Sequence, residues 1–228
     1  MRWRRFSSAA LLAVGILAAA ACGGGDGGGG ETTTSSGGGQ TTTSSGGCTD
    51  ASAPSRRDES NRKAPTSQLD PGKTYRVVVE TNCGQFTITL DQKMSPKTSA
   101  SFVALVDDGY FDDTIFHRIV PGFVIQGGDP TGTGSGGPGY TTVEPPPPTT
   151  SYVKYLVAMA KTAAEPAGAA GSQFFVVTGP NVQLAADYAV LGKVTDGQDV
   201  VDRIGKLGDQ SQQPTRTVVI DTMSVESS

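Results

Sequence analysis

The run Phe116-His117-Arg118-Ile119-Val120-Pro121-Gly122-Phe123-Val124-Ile125-Gln126-Gly127-Gly128-Asp129 sets a permanent cation, a large aromatic and a neutral amide on a short apolar frame. A Pro-Gly pair separates Arg118 from Phe123, so the segment reads as strand, tight turn, strand. Two hairpin arms can present Arg118, Phe123 and Gln126 to one concave surface. Such a surface holds a ring by apolar contact and an amide by N–H donors. Arg118 taken alone would read as a surface strand residue in an ion pair. Metal or acid–base chemistry has little to build on. His117 is the only histidine, and as the strand neighbour of Arg118 it should face away from the pocket as a structural residue. Asp107-Asp108 and Asp112-Asp113 read as solvated charges rather than a carboxylate pair.

The elements that position these residues begin at Thr74. Tyr75–Glu80 and Gln85–Leu90 read as strands joined by the turn Thr81-Asn82-Cys83-Gly84, and Phe86, Ile88 and Leu90 alternate with polar residues. Ser95-Pro96 looks like an N-cap followed by Pro at the first helical position. The helix should run to about Asp108, bury Phe102, Leu105 and Val106, and stop at Gly109. Further strands are expected at 114–120, 123–127, 155–160, 173–177, 189–194 and 217–225, with a second helix near 197–206 burying Val200, Val201 and Ile204. Eight short strands with two helices predict a mainly β fold: a closed eight-stranded antiparallel barrel with a helix over each open end. Between Gly127 and Tyr155 lies a long Gly/Pro-rich loop. Its Gly132-x-Gly134-x-x-Gly137 is not a dinucleotide fingerprint, because Pro138-Gly139 follows where a helix would have to start.

The run around Arg118 resembles a signature of the cyclophilins, peptidyl-prolyl cis-trans isomerases. Gly171-Ser172-Gln173-Phe174-Phe175-Val176-Val177-Thr178 resembles the second family signature, in the expected order. The resemblance covers roughly residues 73–226 and implies the same barrel architecture, activity on X-Pro bonds without cofactor or metal, and a monomer. It implies Arg118 as the catalytic donor. Phe123, Val124, Phe175, Leu184 and Tyr188 would wall a proline pocket, and Gln126 and Gln173 would hold the peptide backbone. Ala160 and Lys161 end the strand that would pair with substrate main chain. Lys161 stands where Asn is common, Gln183 where Trp is common and Tyr188 where His is common, so for Lys161 only the backbone role carries over. Proline-containing peptides and unfolded exported proteins are the implied partners. A module that binds proline segments with incidental catalysis is the alternative.

The amino terminus suggests where this would happen. Arg2, Arg4 and Arg5 precede an apolar stretch from Ala9 to Ala21, too short to span a bilayer and suited to a signal peptide over residues 1–21. It ends Ala19-Ala20-Ala21-Cys22, which resembles a bacterial lipobox that would make Cys22 the acylated first residue. A plain secretory signal cut near Cys22 is the alternative. Removal of 1–21 leaves 15 basic against 22 acidic residues, a formal charge of −7 that argues against a nucleic-acid partner. The Gly/Ser/Thr-rich stretch within 22–72 cannot bury a core and reads as a disordered tether. The whole predicts a membrane-anchored domain on the extracytoplasmic side. In that oxidising setting Cys48 and Cys83 remain as an even pair, either a disulfide or two free thiols.

Overall fold

The structure is a computed structural model that describes residues 47–228. Cys22, the signal segment and the first part of the expected tether lie outside the described residues. Strand β1 (Tyr75–Thr81) turns at Asn82-Cys83 into β2 (Gly84–Leu90), and Gly84 takes φ 113, a conformation that favours glycine. Val77 faces Ile88 and Val79 faces Phe86 across this pair, all four essentially without solvent exposure. Helix α1 (Pro96–Asp107) buries Phe102, Leu105 and Val106 as its spacing predicts, and Gly109 ends it with φ 64. Its cap differs from the expected one. Ser95 makes no side-chain cap bond, and the Glu144 carboxylate accepts from the N–H groups of Lys97 (3.0 Å) and Thr98 (2.8 Å) instead. A carboxylate at a helix N-terminus meets both free donors and the positive end of the dipole.

The chain continues through β3 (Thr114–Ile115), β4 (Arg118–Val120), β5 (Val124–Gly127), β6 (Thr142–Val143) and β7 (Tyr152–Val153). It then forms β8 (Leu156–Met159), β9 (Ala169–Ala170), β10 (Phe174–Val177), β11 (Asn181–Val182) and β12 (Val190–Asp196). Helix α2 (Gln198–Ile204) buries Val200, Val201 and Ile204, and β13 (Val219–Ser227) closes the order.

Nine of these strands make one antiparallel sheet in the order β3-β13-β1-β2-β12-β8-β10-β5-β4. This corrects the expected closed eight-stranded barrel: the sheet curls, but its edge strands β3 and β4 do not pair. The single strand expected over 114–120 breaks at Phe116-His117, and its halves lie on opposite edges. Phe116 is fully buried and its N–H bonds to the Val218 carbonyl, so the chain leaves one edge before it joins the other. Register shifts in β1 opposite β13 and in β12 help the sheet to curl.

Residues 47–72 also differ from expectation. Their polar composition reads as tether, yet they lie along the domain. Cys48 and Cys83 form a disulfide, and Thr49 exchanges bonds with Asn82. Arg57 N–H donates to the Pro130 carbonyl and Arg62 N–H to that of Pro138, both at 3.0 Å. A strap of this kind meets its backbone groups on loops distant in sequence, which composition does not reveal.

Candidate functional site

The β4–β5 hairpin carries the first half of the site. Pro121 and Gly122 occupy the turn, Gly122 with φ 71, and the Phe123 N–H bonds to the Val120 carbonyl. Pro followed by a left-handed Gly closes a tight turn with its hydrogen bond made. Arg118 then stands opposite Gln126 and Val120 opposite Val124, while Ile119 and Ile125 point the other way into the core with no exposure. The period of two that buries the isoleucines therefore places arginine and amide side by side.

Strand β10 adds the second half. Phe175 lies opposite Gln126 on one side and Ala158 on the other, whereas Phe174 packs into the core edge-on to Phe102 at 5.6 Å. Arg118, Phe123, Val124, Gln126, Ala160, Lys161, Phe175, Leu184 and Tyr188 together line a cavity of about 170 Å³. Gln173 lies outside it, in a neighbouring cavity of about 330 Å³, and reaches the first through Gln126.

Packing holds the apolar wall. The Tyr188 ring meets Phe175 edge-on at 5.4 Å, and Tyr152 stands behind both, 6.4 Å from Phe175 and 6.0 Å from Tyr188. The buried Tyr152 hydroxyl donates to the Tyr188 carbonyl (2.7 Å) and accepts from the Tyr188 N–H (2.9 Å). Burial raises the pKa of Tyr152, so the hydroxyl keeps its proton. Lys161 contributes more than backbone. Its ammonium pairs with Asp187 at 2.7 Å and sits 5.7 Å from the Tyr188 ring centroid, with the side chain only 5% exposed.

Hydrogen bonds hold the polar wall. Arg118 Nη1 donates to Gln126 Oε1 (3.3 Å), Gln126 Nε2 to Gln173 Oε1 (3.0 Å), and Gln173 Nε2 to the carbonyls of Gly134 (3.0 Å) and Gly136 (2.9 Å). Because the final acceptors are carbonyls, the polarity of both amides is fixed, and each oxygen faces toward Arg118. Arg118 Nε also donates to Gln212 Oε1 at 2.8 Å. Among the described residues no carboxylate pairs with Arg118, so its charge is not neutralised from within.

The loop beyond Gly128 owes its shape to Asp129, which accepts backbone N–H bonds from Thr131, Thr133, Gly134 and Gly136. Burial alone would raise the Asp129 pKa, but these bonds together with that of the Thr131 hydroxyl outweigh it and lower the value. His117 does not line the cavity; it falls in the break between β3 and β4, with its ring against Gly134. Burial lowers its pKa from 6.5, and neither ring nitrogen has a partner among the described residues.

Sequence reasoning missed Gln212, Tyr152 and Asp187. Gln212 is 94 residues from Arg118, in a polar stretch without periodicity, and holds φ 64. Its carbonyl also accepts from Ile119 N–H, so backbone and side chain both brace β4. Tyr152 adjoins the Gly/Pro-rich loop, and nothing in the sequence links it to Tyr188.

Comparison with known proteins bears on this geometry. The family model "Cyclophilin type peptidyl-prolyl cis-trans isomerase/CLD" matches residues 76–225. A probable peptidyl-prolyl cis-trans isomerase A of Mycobacterium leprae is 38% identical over 166 residues, which cover 64% of this chain and 90% of that protein. Peptidyl-prolyl cis-trans isomerase B of Streptomyces anulatus is 35% identical over 168 residues, 65% of this chain and 94% of its own. A cyclophilin-type isomerase of Cryptosporidium parvum superposes with a TM-score of 0.62 at 33% identity, covering 67% of this chain and 98% of that one. The same protein solved in the presence of the dipeptide Ala-Pro gives 0.61 at 33% identity, covering 66% and 98%.

Proposed function

The chain belongs to the cyclophilin-type peptidyl-prolyl cis-trans isomerases, and from that premise we propose that it catalyses X-Pro isomerisation in exported proteins through the cavity built on Arg118. Rotation about a prolyl amide is slow because resonance opposes it, with a barrier of about 18–20 kcal/mol. No covalent bond changes, so neither nucleophile nor acid–base pair is called for. The ring of the substrate proline sits against Phe123, Phe175, Leu184 and Tyr188, while Arg118 donates to the amide as its nitrogen loses conjugation. A donor that bonds the twisted amide more strongly than either planar form lowers the barrier. Shortening tens of seconds to about a millisecond takes roughly 6–7 kcal/mol. Gln126 and the edge of β8 at Ala160-Lys161 hold the flanking peptide.

The observation that carries this reading is an arginine that has no carboxylate partner among the described residues, beside an aromatic-walled cavity. The related structure obtained in the presence of Ala-Pro supports the same ligand class. A donor aimed at the prolyl amide favours catalysis over binding alone, because it can bond the twisted amide more strongly than the planar one. In a protease-coupled assay the full chain should isomerise an X-Pro peptide; a folded protein with no turnover would overturn the reading.

Acylation of Cys22 and membrane anchoring, with the domain outside the cell and acting as a monomer on unfolded exported clients, complete the proposal. They rest on the basic, apolar and Ala-Ala-Cys pattern of residues 2–22. One acyl chain anchors only marginally, whereas several hold firmly. Cys22→Ser should abolish lipid labelling and release the protein from membranes. An unlabelled, soluble wild type would dispose of the anchor.

A further inference from the structure

We propose that the strap Cys48–Arg62, outside the segment matched by the family, is a positioning element of the active site. It rests on the isomerase reading and extends it. The strap grips both ends of the loop over residues 130–138: Arg57 N–H bonds to the Pro130 carbonyl and Arg62 N–H to that of Pro138. Between those ends the carbonyls of Gly134 and Gly136 accept from Gln173, and through Gln173 and Gln126 they set the orientation of Arg118. The contact with the loop is close. A Cβ on Gly139 would fall 1.8 Å from the Ser60 carbonyl oxygen, so the strap backbone lies where only glycine admits it.

A second line of contacts runs through Tyr110. Arg57 Nη2 donates to the Tyr110 carbonyl at 3.0 Å, and the Arg62 guanidinium lies 5.8 Å from the Tyr110 ring centroid. The buried Tyr110 hydroxyl bonds Ser172 at 3.1 Å, and Ser172 donates to the Gly128 carbonyl at 2.7 Å. Ser172 is the neighbour of Gln173. Both routes therefore converge on two adjacent residues, Ser172 and Gln173, that lead into β10.

Side-chain pairing keeps the strap in place. Arg62 pairs with Glu59 (2.9 Å) and Asp108 (3.0 Å), and the disulfide from Cys48 to Cys83 ties its start to the β1–β2 turn. A surface segment with no role in the site would also pair in this way. It would not touch both ends of the one loop that fixes Gln173.

The test is a double-mutant cycle on the full chain, read by X-Pro turnover and by thermal melting. Arg57→Ala/Arg62→Ala should lower kcat/KM by about 3- to 10-fold. In a Gln173→Ala background the same pair should cost little more, because the strap acts through Gln173, while the drop in Tm should be the same in both backgrounds. Equal fold losses in both backgrounds, or wild-type kcat/KM in a folded Arg57→Ala/Arg62→Ala protein, would overturn the proposal. Should that pair fail to fold, Asp108→Asn removes one exposed partner of Arg62 and carries the same cycle with smaller amplitude. Absence of turnover in the wild type would instead strike at the isomerase reading.

Discussion

The two walls of the cavity are built on different physics. The apolar wall of Phe123, Phe175, Leu184 and Tyr188 is a cluster packed on Val124, Tyr152 and Val177. Many contacts share the load, and the shape tolerates small shifts. The polar wall is a line from Arg118 through Gln126 and Gln173 to two glycine carbonyls, with Gln212 as a second acceptor for Arg118. Each member there has one place to be, and an amide turned the wrong way faces donor to donor. The apolar wall thus governs how well a ring is held, and the polar wall governs whether the cation is aimed. Substitutions on one side should act on KM, and on the other side on kcat.

The largest effect should come from the end of the polar line. Arg118→Ala should lower kcat/KM by about 10² or more, roughly 3 kcal/mol of transition-state stabilisation. Turnover near that of the wild type in a folded variant would end the division between the walls. On the apolar side, Tyr152→Phe keeps the ring but strands the Tyr188 N–H and carbonyl, at a cost of about 1–3 kcal/mol in stability. Here KM should rise more than kcat falls, and the reverse pattern in steady-state kinetics would show that Tyr188 aims rather than walls.

Gln212→Ala removes one of two acceptors from Arg118 while Gln126 remains. A loss of about 2- to 10-fold, confined to kcat, is expected from one exposed charge-assisted bond. An unchanged kcat would mean that Gln126 alone suffices to aim the guanidinium.

The smallest effect belongs to His117, behind the polar wall. Its folded-state pKa lies below the ordinary 6.5 because burial disfavours the cation. The unfolded chain therefore binds more protons as pH falls through that value, and stability is present above it and lost progressively below it. His117→Asn should flatten the dependence of Tm on pH between 7 and 5. A slope identical to that of the wild type would place the acid sensitivity on other groups.

Much of this site was legible because it is local. Arg118, Phe123 and Gln126 sit within one hairpin, and strand alternation with a Pro-Gly turn fixes which of them share a face. The resemblance supplied Phe175, Leu184 and Tyr188 from two further segments, and all three line the cavity. For Gln173 the resemblance implies a hold on the peptide backbone, and the structure sets its side chain in the neighbouring cavity, bonded to Gln126. Closure follows from eight strands whose edges must be removed, and the β-prone residues over 114–120 give no sign of a break at Phe116-His117 that leaves two edges instead. That break is set by the aromatic core that takes in Phe116.

By itself the sequence determined the two helices and the longer strands, the hairpin that pairs Arg118 with Gln126, and the membership of the family, since all of these follow from spacing within short segments; the break in 114–120 and the two-residue strands β6, β7, β9 and β11 left no such pattern. Only the tertiary structure decided that Glu144 caps α1, that Gln212 and Tyr152 brace the two walls, and that a polar stretch before the domain lies along it as a strap. These contacts join single polar groups across 33 to 94 residues. A hydrogen bond of that kind leaves no period in the chain, because its partners are chosen by where the packed sheet brings them and not by what stands beside them in sequence.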